Sequence, residues 1–96
     1  MKNFELGDKV FVEKYYIRNN RTVFDRNENC KRYNLKDLNL SGVYAGKRVI
    51  NFKGYTEYIG YEEGFAFVPI EKLQVHLVAI SHKQLIYVPD EFIRRE

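Results

Sequence analysis

Apolar residues recur at every second position over short stretches of this chain, and turns built from glycine and polar residues separate the stretches. After the turn signal Gly7-Asp8, residues 9–15 place Val10 and Val12 on one face and Lys9, Phe11, Glu13 and Tyr15 on the other. This is the period of a half-buried strand. Residues 55–60 and 65–68 flank the turn Tyr61-Glu62-Glu63-Gly64, where Gly64 can take the left-handed conformation that closes a hairpin. Residues 73–80 are the clearest strand. Leu73, Val75, Leu77 and Ala79 share one face, while Gln74 and His76 open a polar-looking face that Val78 and Ile80 then turn apolar. Such a strand is expected to be covered on both sides. It pairs with residues 85–88 across the turn Ser81-His82-Lys83-Gln84.

Between these stretches the pattern is less regular. Residues 17–41 read as a long irregular loop with a turn at Asn19-Asn20, a brief strand at 21–24, and one helical turn over 34–38 from the spacing of Leu35 and Leu38. Residues 43–52 form a strand in which Gly46 marks a bulge, and Lys53-Gly54 makes the next turn. Pro69 interrupts or ends its strand, because it cannot donate to a ladder. Residues 89–93 form one helical turn, with Phe92 or Ile93 plugging an open end of the sheet. The expected core is Val10, Val12, Val43, Val49, Phe67, Leu73, Val75, Leu77 and Leu85.

Length and composition narrow the class. Ninety-six residues make one domain, here 1–96, and a short chain must use its core efficiently. Eight Tyr and seven Phe supply large buried areas, Tyr with a polar tip. The single Cys30 cannot form an intrachain disulfide, which points to a reducing compartment. Charges at Lys2, Glu5, Asp8 and Lys9 interrupt any signal-peptide core, and the apolar run 65–70 is far short of a membrane span. The expectation is a cytoplasmic protein of a bacterial host cell with no membrane contact. Phe, Tyr, Met, Ile, Asn and Lys make up 40 of 96 residues, against three Ala, a usage that reflects AT-rich coding DNA.

The strand order resembles that of bacterial SH3-like barrels. A Gly-Asp-x-Val-x-Val first strand precedes a long arm, a glycine-containing strand, two hairpins and a last strand running into Pro89-Asp90-Glu91-Phe92-Ile93. The resemblance implies a mainly β fold: a small, partly open barrel of about five strands with a long irregular first loop and a short C-terminal helical turn. Residues 60–69, followed by Val75 and Leu77-Val78-Ala79, are similar to small uncharacterised proteins of phages and plasmids of low-GC Gram-positive bacteria. That similarity implies no catalytic residues, and fold alone does not give function.

Few residues carry recognisable chemistry. Gly42 to Arg48 looks superficially like a phosphate loop, but it is one residue short between its glycines. It also has Arg48 where Ser or Thr would hold magnesium and precedes a β pattern. Lys47 and Arg48 instead point to opposite faces of a curved strand. Glu62 and Glu63 on a hairpin tip lack the environment that separates two carboxyl pKa values. His76, His82 and Cys30 form no ligand or nucleophile signature, so no metal, cofactor or enzymatic activity is expected.

The notable cluster is a basic aromatic arm. Tyr15, Tyr16, Arg18, Arg21, Arg26, Lys31, Arg32 and Tyr33 interleave with Phe24, and Lys47, Arg48 and Lys53 lie beyond. Tyr and Arg dominate protein interfaces, and the same pairing serves single-stranded nucleic acid. Asp25 and Glu28 dilute the positive run, and the net charge is only +3. A protein partner is therefore the leading expectation and direct nucleic-acid binding the alternative. An acidic set, Glu62, Glu63, Glu71, Asp90 and Glu91, offers a second face.

Overall fold

The computed structural model of the chain describes residues 1–18, 30–61, 64–81 and 84–96, with backbone alone for 30–31, 55–59 and 65–67. Strands β1 (Lys9–Arg18), β2 (Cys30–Lys31), β3 (Tyr33–Gly60), β4 (Gly64–Ser81), β5 (Gln84–Val88) and β6 (Ile93–Arg95) are joined before β6 by a 3₁₀ turn at Asp90–Phe92. They form one antiparallel sheet in the order β2-β3-β4-β5-β1-β6, and an additional β3–β1 pairing bends it into a ring. Three seams of that ring are extensive. The fourth, between β1 and β5, is the single pair Tyr16–Tyr87, so the barrel is partly open. No helix among the described residues is long and apolar enough to cross a membrane.

Two expectations about the strands are corrected. Residues 30–41 are neither irregular nor helical: Tyr33 to Val43 pairs with β1 from Arg18 back to Lys9. The alternation is hidden because Asn39 adopts φ 52° beside a register step between Val12 and Lys14, and because Leu35 and Leu40 are exposed. Asparagine tolerates that left-handed geometry better than most residues. Nor is Lys53-Gly54 a turn. Strand β3 continues through it to Gly60, paired with β4 throughout, so two expected hairpin arms are one long bent ribbon. Of the two outcomes expected for Pro69, it interrupts without ending the strand: it lies inside β4 opposite Gly54, where the register steps. The proposed strand at 21–24, the turn residues Glu62-Glu63 and His82-Lys83, and the side chain of Phe67 lie outside the described residues.

The barrel interior is Val10, Val12, Tyr44, Val78, Ile86, Val88 and Ile93, with Phe4, Tyr15, Leu38 and Ile80 packed against it. Ile93, rather than Phe92, is the buried plug after the 3₁₀ turn. Of the expected core, Val10, Val12 and Val75 are buried and Leu73 and Leu77 are half-buried. Val43, Val49 and Leu85 are 45%, 56% and 59% exposed. The reason is register. Tyr44, Val78 and Ile86 form a row across three strands that faces inward, so the adjacent row Val43, Ala79 and Leu85 faces out. The expected bulge at Gly46 (φ 129°) follows Tyr44 and shifts the remainder of β3, bringing Ile50 rather than Val49 under cover. Gly42 permits the close approach of β3 to β4. A Cβ there would lie 2.5 Å from Val78 Cγ1 and 2.9 Å from the Ala79 carbonyl oxygen.

Candidate functional site

Ile86 and Val88 point into the barrel, so Tyr87 between them points away from it, and its seam partner Tyr16 shares that side. Around this pair the strands assemble an aromatic cluster. Tyr16 meets Phe52 at 5.4 Å and Tyr33 at 6.2 Å between ring centroids, and Tyr33 meets Tyr87 edge-to-face at 6.0 Å. Tilted and edge-on contacts of this kind are the favoured aromatic geometry. Arg48, cross-strand neighbour of Val75, donates from Nη1 to Tyr87 Oη at 2.9 Å, with its guanidinium 5.6 Å from the ring centre. Lys53 Nζ lies 6.0 Å from the Phe52 ring centre and 3.8 Å from Glu71 Oε2. Burial first, then the charges of Glu91 and Glu71, hold the Tyr16 phenol above its ordinary pKa of 10.0, so it stays protonated as a donor at neutral pH.

The predicted arm is thus divided. Tyr16, Arg18, Tyr33 and Arg48 converge, Arg18 being the register partner of Tyr33. Arg32 is half-buried, and its backbone N–H donates to the Phe52 carbonyl at 3.0 Å, joining the end of the arm to β3. The backbone of Lys31 pairs with Lys53. Tyr15 does not join the cluster; it packs against the barrel core. Lys47 turns to the other face and reaches Asn3 Oδ1 at 3.2 Å, as its opposition to Arg48 implies. Arg21, Arg26 and the side chain of Lys31 lie outside the described residues. Phe52 and Tyr87 are the members that the sequence reading missed. Tyr87 was legible as the odd position between Ile86 and Val88. Of the acidic set, Glu71 pairs with Lys53 and Asp90 with a histidine, and Glu62 and Glu63 lie outside the described residues.

That histidine is His76, on the polar-looking face of a strand expected to be covered on both sides, and it is 0% exposed. Its Nδ1 lies 2.8 Å from Tyr44 Oη and its Nε2 lies 2.8 Å from Asp90 Oδ1. A carboxylate only accepts, so Nε2–H donates to Asp90; in a neutral ring Nδ1 then accepts from the Tyr44 hydroxyl, and in a charged ring it donates to it. The N-terminal segment closes over this chain of bonds. The Lys2 backbone N–H donates to Asp90 Oδ1 at 2.7 Å, and Phe4 stands 5.4 Å from His76 and 5.2 Å from Tyr44. Burial raises the Asp90 pKa, but the hydrogen bonds from His76 and Lys2, with attraction to His76 and the N-terminal ammonium, outweigh it and leave the carboxyl below 3.8. Burial, then the Asp90 charge, raises the Tyr44 phenol above 10.0, the opposite of what an activated nucleophile needs. The trio is a satisfied internal lock: among the described residues no buried side-chain polar atom lacks a partner. Nor, among those residues, do three or more His, Cys, Asp or Glu side chains group as metal ligands.

No protein-family model, curated protein or solved structure matches the chain.

Proposed function

We propose that the chain is a non-catalytic binding module, an accessory protein of a phage or other mobile element, that engages a host or defence protein involved in nucleic-acid handling. The observation that carries this reading is the preformed cluster of Tyr16, Tyr33, Phe52 and Tyr87, pinned at one side by the Arg48–Tyr87 hydrogen bond. Tyr and Arg side chains already held in place lose little rotamer freedom on association, which is how a small surface becomes an energetic anchor. The resemblance of the strand order to SH3-like barrels and the AT-rich residue usage support this reading of the scaffold and its origin. Several cations are neutralised within the fold, Lys14 by Asp37, Lys53 by Glu71 and Arg95 by Asp8, which weakens any field for a polyanion.

Direct nucleic-acid binding is the second reading, favoured by Arg18 and Arg48, which make no ion pair among the described residues. Affinity capture from a nuclease-treated lysate of a low-GC bacterium separates the two. The expected result is a nuclease-resistant protein retained by the wild-type chain and lost with Tyr33→Ala. Capture that nuclease abolishes, with oligonucleotide binding whose salt dependence flattens in Arg18→Ala, would favour the second reading.

A further inference from the structure

The described cations near the aromatic cluster are not equivalent. Lys53 is spoken for by Glu71, whereas Arg18 and Arg48 make no ion pair among the described residues. These two bracket the tyrosines in a line: Arg18 is opposite Tyr33, Tyr33 meets Tyr87 at 6.0 Å, and Arg48 bonds Tyr87 Oη. Donors dominate the line. Tyr87 Oη accepts from Arg48 and keeps its own proton to give, and each guanidinium carries a fork of N–H groups suited to a carboxylate. The Tyr33 and Tyr87 rings stand at 73° to one another, and the Arg48 guanidinium lies over the Tyr87 ring 5.6 Å from its centre, so that face is already met by a cation. Stacking of unpaired bases would instead require open ring faces.

We infer that the line Arg18–Tyr33–Tyr87–Arg48 is a docking surface for an acidic protein segment, one carboxylate at each arginine and an apolar or aromatic side chain between them. This rests on the binding-module reading and names the chemistry of its partner. The side chain between the carboxylates covers the tyrosines and excludes water from the two ion pairs, which is the arrangement that makes charged contacts at an interface worth most.

The test titrates the full-length chain with a short labelled peptide in which glutamates alternate with phenylalanine and leucine. A glutamine-for-glutamate version and a single-stranded oligothymidine serve as comparisons. Arg18→Glu and Arg48→Glu should each weaken peptide binding by about tenfold or more, the scale of one lost charge-assisted contact. Arg48→Lys should recover part of the loss, and Lys9→Glu, an equal change of net charge on an exposed residue outside the line, should leave binding near wild type. Thermal melts of Arg18→Glu matching wild type show that the fold is intact. Equal binding of the glutamate and glutamine peptides, or Arg18→Glu behaving as Lys9→Glu does, overturns the inference. Lysate capture that depends on Tyr33 but on neither arginine overturns it while leaving the binding-module reading standing. Displacement of the peptide by lower concentrations of oligothymidine overturns both.

Discussion

Val75 and His76 are neighbours on β4, both are fully buried, and the two sides of the sheet that cover them are built to different ends. On the His76 side lie the aliphatic barrel interior and the Tyr44–His76–Asp90 chain, closed over by Lys2 and Phe4. On the Val75 side lie half-buried rings, held by edge contacts and rimmed by arginines. The first side satisfies its polar groups internally, and its loss would be paid in stability. The second keeps donors and apolar area at the surface, where a partner can use them. A strand buried on both faces therefore joins a structural side to the side proposed for recognition within one residue step.

The largest effects should fall on the barrel side. Ile86→Ala empties a buried position between Val78 and the seam, and is expected to cost about 2–5 kcal/mol in denaturant melts. Gly42→Ala drives a methyl into Val78 and the Ala79 carbonyl and should cost about 1–3 kcal/mol or more by overpacking. Leu77→Ala, on the Tyr87 side and only half-buried, should cost clearly less than Ile86→Ala. Equal losses at Leu77 and Ile86 would show that the two sides carry stability alike.

Next in size is the polar lock. His76→Leu keeps the bulk but leaves the Tyr44 hydroxyl and the Asp90 carboxylate without their partner, at about 1–3 kcal/mol for a buried polar group left unsatisfied. The pH dependence follows from Asp90. A carboxyl held below its ordinary 3.8 binds protons less readily in the folded chain than in the unfolded one. Its stabilisation is complete above the unfolded value and is lost as pH falls through the folded value. Asp90→Asn should therefore be less stable than wild type near neutrality, with the gap closing as pH falls below about 4. A gap that stays constant with pH would mean that the carboxylate charge contributes nothing to the lock.

The parts of this picture legible in the sequence are those where side-chain period and backbone chemistry agree. Residues 9–15, the bulge at Gly46, the left-handed Gly64 (φ 71°) and the turn after Pro89 announce themselves that way. Parity was not legible after a bulge. One extra residue at Gly46 exchanges Val49 for Ile50, and nothing local distinguishes two adjacent β-branched residues. The strand at 33–40 was hidden because Leu35 and Leu40 face out and its pairing with β1 is non-local. Cover on both faces of the His76 strand was expected, but the partners of its ring were not legible, because Tyr44 and Asp90, distant in sequence, are brought to its two nitrogens only by the fold. The arm was identified by residue type alone, which could not show that Tyr15 and Tyr16 part to opposite sides or that Tyr87 completes the cluster.

The smallest stability effect, and the sharpest test of the contrast, belongs to Arg48. Its side chain is exposed, its bond to Tyr87 is to a neutral hydroxyl, and its cation–π contact lies at the surface. Exposed contacts of that kind are worth about 0.5–1 kcal/mol. Arg48→Ala should therefore lower stability by about 1 kcal/mol or less, and Tyr87→Phe, which deletes only the hydroxyl, should do no more. Partner capture should nevertheless fall with Arg48→Ala, because the guanidinium orients Tyr87 and is proposed to meet the partner. A loss as large as that of Ile86→Ala, measured in the same melts, would make the aromatic cluster a second core. The surface proposed for recognition would then be a structural element like the one behind it.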